Sequence, residues 1–87
     1  MTTAQTLTPA LTVTVYTSPS CVQCKQTKRH LEHRGIAFTE EPFDDESRDA
    51  AIYLGFKTAP VIIADHPEYG ELSWDGYRPD RIDALIR

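Results

Sequence analysis

From Leu11 to Thr17 the chain alternates apolar and polar side chains, with β-branched residues throughout, the pattern of a strand buried on one face. Ser18-Pro19-Ser20 punctuates it. Cys24, Thr27, Lys28 and Leu31 then recur at helical spacing, which predicts a helix from about Cys21 to Arg34, closed by Gly35. Ile36-Ala37-Phe38-Thr39 reads as a second strand, and Asp44 or Asp45 can cap a helix that runs to Leu54 and stops at Gly55. Val61-Ile62-Ile63-Ala64 predicts a third strand, with Pro60 at its start where a missing N–H is tolerated. A long turn over Asp65 to Gly70 leads to Glu71-Leu72-Ser73-Trp74, a fourth strand in hairpin relation to the third. Pro79 sits at a helix N1 position ahead of an apolar stripe of Ile82, Leu85 and Ile86. The order β-α-β-α-β-β-α predicts an α/β domain of thioredoxin-like arrangement, a small mixed four-stranded sheet with helices on both faces.

Composition narrows this picture. At 87 residues the chain has room for one compact domain, assigned to residues 11–87, with the Thr-rich residues 1–10 as a flexible arm. A formal charge of -4 does not supply the basic face that binding a nucleic acid requires. Met1 to Ala10 has neither a basic start nor an apolar run of signal-peptide length, and no segment is long and apolar enough to span a bilayer. Those readings place the chain in the cytoplasm, away from membranes, where thiols are kept reduced. Its two cysteines, Cys21 and Cys24, therefore call for a role other than stapling. A crosslink three positions apart closes too small a ring to restrict the unfolded chain much.

A C-x-x-C beside a βαβ pattern is a redox signature, and Cys21-Val22-Gln23-Cys24 falls where the first strand turns into the helix. Unpaired N–H groups and the positive dipole end at a helix N-terminus favour a thiolate. Cys21 is therefore the expected nucleophile, and Cys24, one turn further in, the more buried resolving thiol. The expected chemistry is attack by Cys21 on a substrate disulfide, followed by resolution of the mixed disulfide by Cys24.

Three separated motifs carry a resemblance: Cys21-Val22-Gln23-Cys24, Thr58-Ala59-Pro60-Val61 and Trp74-Asp75-Gly76-Tyr77-Arg78-Pro79-Asp80. With them the chain resembles the NrdH-redoxins from Leu11 to Arg87. That resemblance implies a glutaredoxin-like sequence with thioredoxin-like activity: reduction by thioredoxin reductase, and electron donation to the large subunit of class Ib ribonucleotide reductase. It also implies that Pro60 is a cis-proline facing the C-x-x-C and that the Thr58-Ala59 backbone bonds an incoming substrate chain. Val22, Gln23, Trp74, Tyr77 and Arg78 join the implied partner-contact set. No organic cofactor is implied, and a monomer suits a shuttle that exposes one site to two partners in turn. Three positions depart from the family pattern: Asp75 stands for Ser, Tyr77 for Phe, and Thr17-Ser18-Pro19 lacks the usual cation of T-K-P. The first two bear on how this segment meets the helix, the third on the stabilisation of the Cys21 thiolate.

Two other readings stay open at this point. A glutathione-dependent glutaredoxin shares the C-x-x-C, but that family usually carries a Gly-Gly and an acidic residue after its last strand, where this chain has Ser73-Trp74-Asp75-Gly76-Tyr77. A zinc or iron–sulfur carrier could use the two thiols. His30, however, lies six residues beyond Cys24 on the same helix, roughly 9 Å along its axis, and reads with His33 as a solvated helix residue. His66 is placed in a loop with no evident partner.

Overall fold

A computed structural model describes residues 11–86 of the chain; the arm assigned to residues 1–10 lies outside the described residues. The elements follow the expected order: β1 (Thr12–Thr17), α1 (Val22–His33), β2 (Thr39–Pro42), α2 (Asp45–Tyr53), β3 (Val61–His66), β4 (Gly70–Asp75) and α3 (Pro79–Ala84). The four strands form one sheet in the order β2-β1-β3-β4, with β1 and β2 parallel and the other pairs antiparallel.

Register explains the two-sided packing. Val13 pairs with Ala64 and Val15 with Ile62, which in turn pairs with Trp74, so these side chains share one face of the sheet. Leu31 of α1, Ile82 of α3 and Leu85 close over that face to make the core. On the opposite face Tyr16, Val61 and Ile63 meet Ala50, Ala51 and Leu54 of the α2 region around a cavity of about 220 Å³. Helices thus cover both faces.

The second strand begins later than its apolar pattern suggests. Residues 36–38 form the crossover, and β2 pairs as Thr14↔Thr39 through Thr17↔Pro42. Gly35, at φ +72°, turns the chain out of α1 in a conformation that costs glycine least. The Gly35 N–H then bonds the Glu32 carbonyl at 3.1 Å and the Ile36 N–H bonds the Leu31 carbonyl at 2.9 Å, a Schellman closure. That closure drops Ile36 into the core. The apolar residues there mark the helix stop, whereas every residue of the real strand is exposed.

The other end of the sheet differs in a second respect. β3 and β4 extend to His66 and Gly70, so the expected long turn shrinks to residues 67–69. His66 is the reason: it is buried, its Nδ1 accepts from the Glu68 and Tyr69 N–H groups at 3.0 and 3.2 Å, and its Nε2 lies 3.2 Å from the Leu85 carbonyl. The reading of His66 as a residue without partners is corrected by these bonds. At the terminal helix Pro79 occupies the first turn as expected, and Ile82 and Leu85 are buried, but Ile86 faces outward.

Two exposed carboxylates brace the connections. Glu40 accepts from the Thr17 hydroxyl at 2.8 Å and from the Lys28 ammonium at 3.0 Å, which hold its carboxyl below the usual carboxylate range. Asp44 caps α2 through the Ser47 N–H at 2.9 Å, with the same effect on its carboxyl. A depressed folded-state pKa means that the unfolded chain takes up protons first on acidification. The stability these groups add is therefore present at neutral pH and lost as pH falls below about 4. Urea midpoints measured at pH 7 and pH 3 are expected to fall toward the acid side, by less in E40Q/D44N than in the wild-type chain. For the core, Leu31→Ala removes a fully buried side chain and is expected to cost about 2–5 kcal/mol in the same urea measurement.

Candidate active site

The site begins at the N-terminus of α1. Cys21 is the N-cap, in extended conformation, and its Sγ accepts from the Cys24 N–H at 3.0 Å. Ser20 just before it holds φ +55°, an uncommon conformation for a residue with a side chain, and so turns the chain from β1 into the helix. Cys21 and Cys24 are joined as a disulfide, with Cα atoms 5.2 Å apart. The two sulfurs are unequal in access: Cys21 is half-buried, whereas Cys24 is 2% exposed beneath the helix.

Opposite the disulfide two loops are tied to each other and to the helix. The Ala59-Pro60 peptide is cis, and Pro60 is buried. Its carbonyl accepts from the Gly76 N–H at 2.8 Å, and Asp75 Oδ2 accepts from the N–H groups of Lys57 and Thr58 at 2.9 and 3.3 Å. On the other side, Gln23 Oε1 accepts from the Tyr77 N–H at 2.9 Å. Gly76 is squeezed between these anchors at φ +78°, and a Cβ there would lie 3.1 Å from Gln23 Oε1.

The residues assigned from sequence separate in this geometry. Val22 is 69% exposed beside the disulfide, and with Cys21, Gln23, Thr58 and Ala59 it borders a groove of about 470 Å³. Trp74 does not reach the surface: it is 3% exposed within the core, so its ring cannot contact a partner. Tyr77 lies half-buried, and its hydroxyl, the group that distinguishes it from Phe, is 3.2 Å from His30 Nδ1. His30 in turn meets Asp83 at 2.9 Å and links α1 to α3, which corrects its reading as a solvated residue. Arg78 is exposed and bonds the Asp75 carbonyl at 3.2 Å, bracing its own turn. The far wall of the groove, Phe43, Arg48, Ile52 and Phe56, escaped the sequence reading. Arg48 lies over the Phe43 ring, 5.3 Å from its centroid, a contact across the N-terminus of α2 that no motif announces. Among the described residues no three His, Cys, Asp or Glu side chains come together as a metal-holding group, and no helix is long and apolar enough to cross a membrane.

A disulfide with one accessible and one buried sulfur, at the first helix of a β-α-β-α-β-β-α domain and sharing a groove with the Thr58-Ala59 stretch that runs into a cis-proline, defines a thiol–disulfide oxidoreductase of thioredoxin-like fold. The glutaredoxin family model matches residues 13–66. A glutaredoxin-like protein NrdH of Escherichia coli K12 is 44% identical over 75 residues, covering 84% of this chain and 86% of that protein. The Lactococcus lactis MG1363 protein of the same name is 36% identical, covering 84% of this chain and 97% of its own. The solved structure of the Escherichia coli NrdH-redoxin, presented as the basis for its thioredoxin-like activity profile, superposes with a TM-score of 0.76 at 41% identity, covering 87% of this chain and 96% of that one. The chain belongs to the NrdH glutaredoxin-like proteins of the glutaredoxin family.

The crowding at Gly76 leads to a direct test. Gly76→Ala combines a positive φ with a tight 3.1 Å contact against the Gln23 side chain, and is expected to destabilise the fold by about 1–3 kcal/mol in urea unfolding. Adding Gln23→Ala to it recovers part of the loss, because the atom that the new methyl meets is then gone.

Proposed function

We propose that this protein is the electron donor that reduces class Ib ribonucleotide reductase, at its large subunit, and is itself re-reduced by thioredoxin reductase. The observation that carries the reading is the half-buried Cys21 paired with a buried Cys24 at a helix N-cap, in a chain 44% identical to NrdH proteins. In the reduced protein Cys21 is the thiolate, held by the helix N-terminal N–H groups, among them that of Cys24. It attacks one sulfur of the client disulfide, and the other client sulfur leaves as a thiol after taking a proton. Cys24 then loses its proton and displaces the second client sulfur from Cys21. The client gains two electrons and two protons, and the Cys21–Cys24 disulfide forms. Reductase then supplies two further electrons, which with two protons restore the Cys21 and Cys24 thiols.

Docking follows from what borders the disulfide. Val22 supplies an apolar contact, and the Thr58-Ala59 backbone offers strand-like hydrogen bonds to an extended client chain. Gln23, Tyr77 and Arg78 shape that rim from behind, and the protein works in the cytoplasm as a monomer. Burial of Cys24 is what makes the two thiols unequal partners in the reaction.

Cys21→Ser is expected to abolish insulin-disulfide reduction, whereas Cys24→Ser leaves a mixed disulfide with the client, visible as a mass shift on non-reducing analysis. Wild-type protein is expected to turn over with NADPH and thioredoxin reductase, and not with NADPH, glutathione reductase and glutathione. Turnover in the glutathione system alone overturns the choice of reductase in favour of a glutathione-dependent glutaredoxin.

A further inference from the structure

Among the described residues, Asp75 is the charged side chain that bonds the backbone of residues 57 and 58, the stretch that shares a groove with Cys21. A single oxygen, Oδ2, accepts from two successive backbone groups, the Lys57 N–H at 2.9 Å and the Thr58 N–H at 3.3 Å. Asp75 also pairs with Val61, the first residue of β3, so the carboxylate arises from the sheet itself and not from a free loop. The next residue adds a third anchor, Gly76 N–H to the Pro60 carbonyl at 2.8 Å. The residue after that is fixed to the cysteine helix through Gln23. Residues 57–60 therefore take their position relative to Cys21 from the short Asp75-Gly76-Tyr77 unit.

We propose that Asp75 is a positioning residue for substrate: by holding the Lys57 and Thr58 amides, it presents the Thr58-Ala59 backbone at the height at which a polypeptide client can bond to it beside Cys21. The inference rests on the disulfide-reductase reading above. The hydrogen bonds are charge-assisted, hence stronger than those a hydroxyl provides, and one carboxylate oxygen serves two donors where a Ser hydroxyl, one atom shorter, reaches fewer. The Ala59 carbonyl accepts a 3.3 Å bond from the Thr58 hydroxyl, a rotor that can yield to a client N–H once the segment is held in place. Asp75 acts on recognition of the chain that carries the disulfide and leaves the sulfur chemistry to Cys21 and Cys24. A small disulfide without a peptide backbone does not use the device.

The test separates those two substrates. Prereduced wild type, D75N, D75S and D75A are mixed in stopped flow with insulin or with 2-hydroxyethyl disulfide, and oxidation of the protein is followed to give two rate constants for each. The readout is the ratio of the insulin constant to the small-disulfide constant. That ratio is expected to fall about ten-fold in D75A, the loss of charge-assisted bonds, and about three-fold in D75S. It is expected to fall about two-fold in D75N, which keeps the oxygen acceptor at the same position but loses the charge assistance. D75S carries the family's own side chain and keeps the comparison available if D75A fails to fold. An unchanged ratio in D75A or D75S, equal losses on both substrates, or a D75N ratio as low as that of D75A overturns the proposal. Wild type that reacts with neither disulfide overturns the reductase reading itself, a distinct result.

Discussion

Cys24, Thr27 and Leu31 form the buried stripe of the first helix, and the arrangement of the site follows from that burial. Leu31 is fully enclosed with Val13, Val15, Ile62 and Ile82, which fixes the rotation of the helix about its axis. Cys24 lies seven residues earlier, close to two turns, and so faces the same interior. Cys21, three residues before it, falls on the cap and stays within reach of solvent. A packing contact made far from the sulfurs thus decides which of them a client can meet.

The sequence made the fold legible wherever side-chain period and burial agree. β1 alternates because one of its faces is sealed by the core while the other, at Thr14 and Tyr16, is only partly covered, and α1 announces itself by a buried stripe and a glycine stop. The hydrophobic pattern places the second strand too early because the residues of β2 are all exposed, leaving no apolar alternation, while the apolar run before it serves to return the chain to the core. The turn between β3 and β4 is shorter than its pattern suggests because the bonds that tighten it run from backbone N–H groups to a histidine ring, which no local pattern encodes. The two cysteines could be read from their spacing. The groove wall of Phe43, Ile52 and Phe56 could not, since those residues lie in and around α2, which only the folded chain brings beside Cys21.

Residues flagged as departures from the family pattern turn out to be connected. Tyr77 uses its added hydroxyl on His30, which is held by Asp83, which also pairs with Arg34 at 3.3 Å. Asp75 uses its carboxylate on the amides of residues 57 and 58. Both substitutions place a polar group where an internal partner satisfies it, so each adds a tie between the loop at the end of β4 and a neighbouring element. Gln23, inside the C-x-x-C, closes the circuit from the helix side. One of the two residues between the cysteines is thus committed to internal structure, and the other, Val22, is left facing outward.

The exposed second strand has one more consequence. It forms one of the two edges of the sheet, a place where a protein with open backbone donors and acceptors is vulnerable to being extended by another chain. Here that margin is Thr39-Glu40-Glu41-Pro42: two adjacent carboxylates repel a like margin on a neighbouring molecule, and the proline removes an amide that a foreign strand would need. The same four residues that hid the strand from its hydrophobic pattern also guard the molecule against growing into an aggregate.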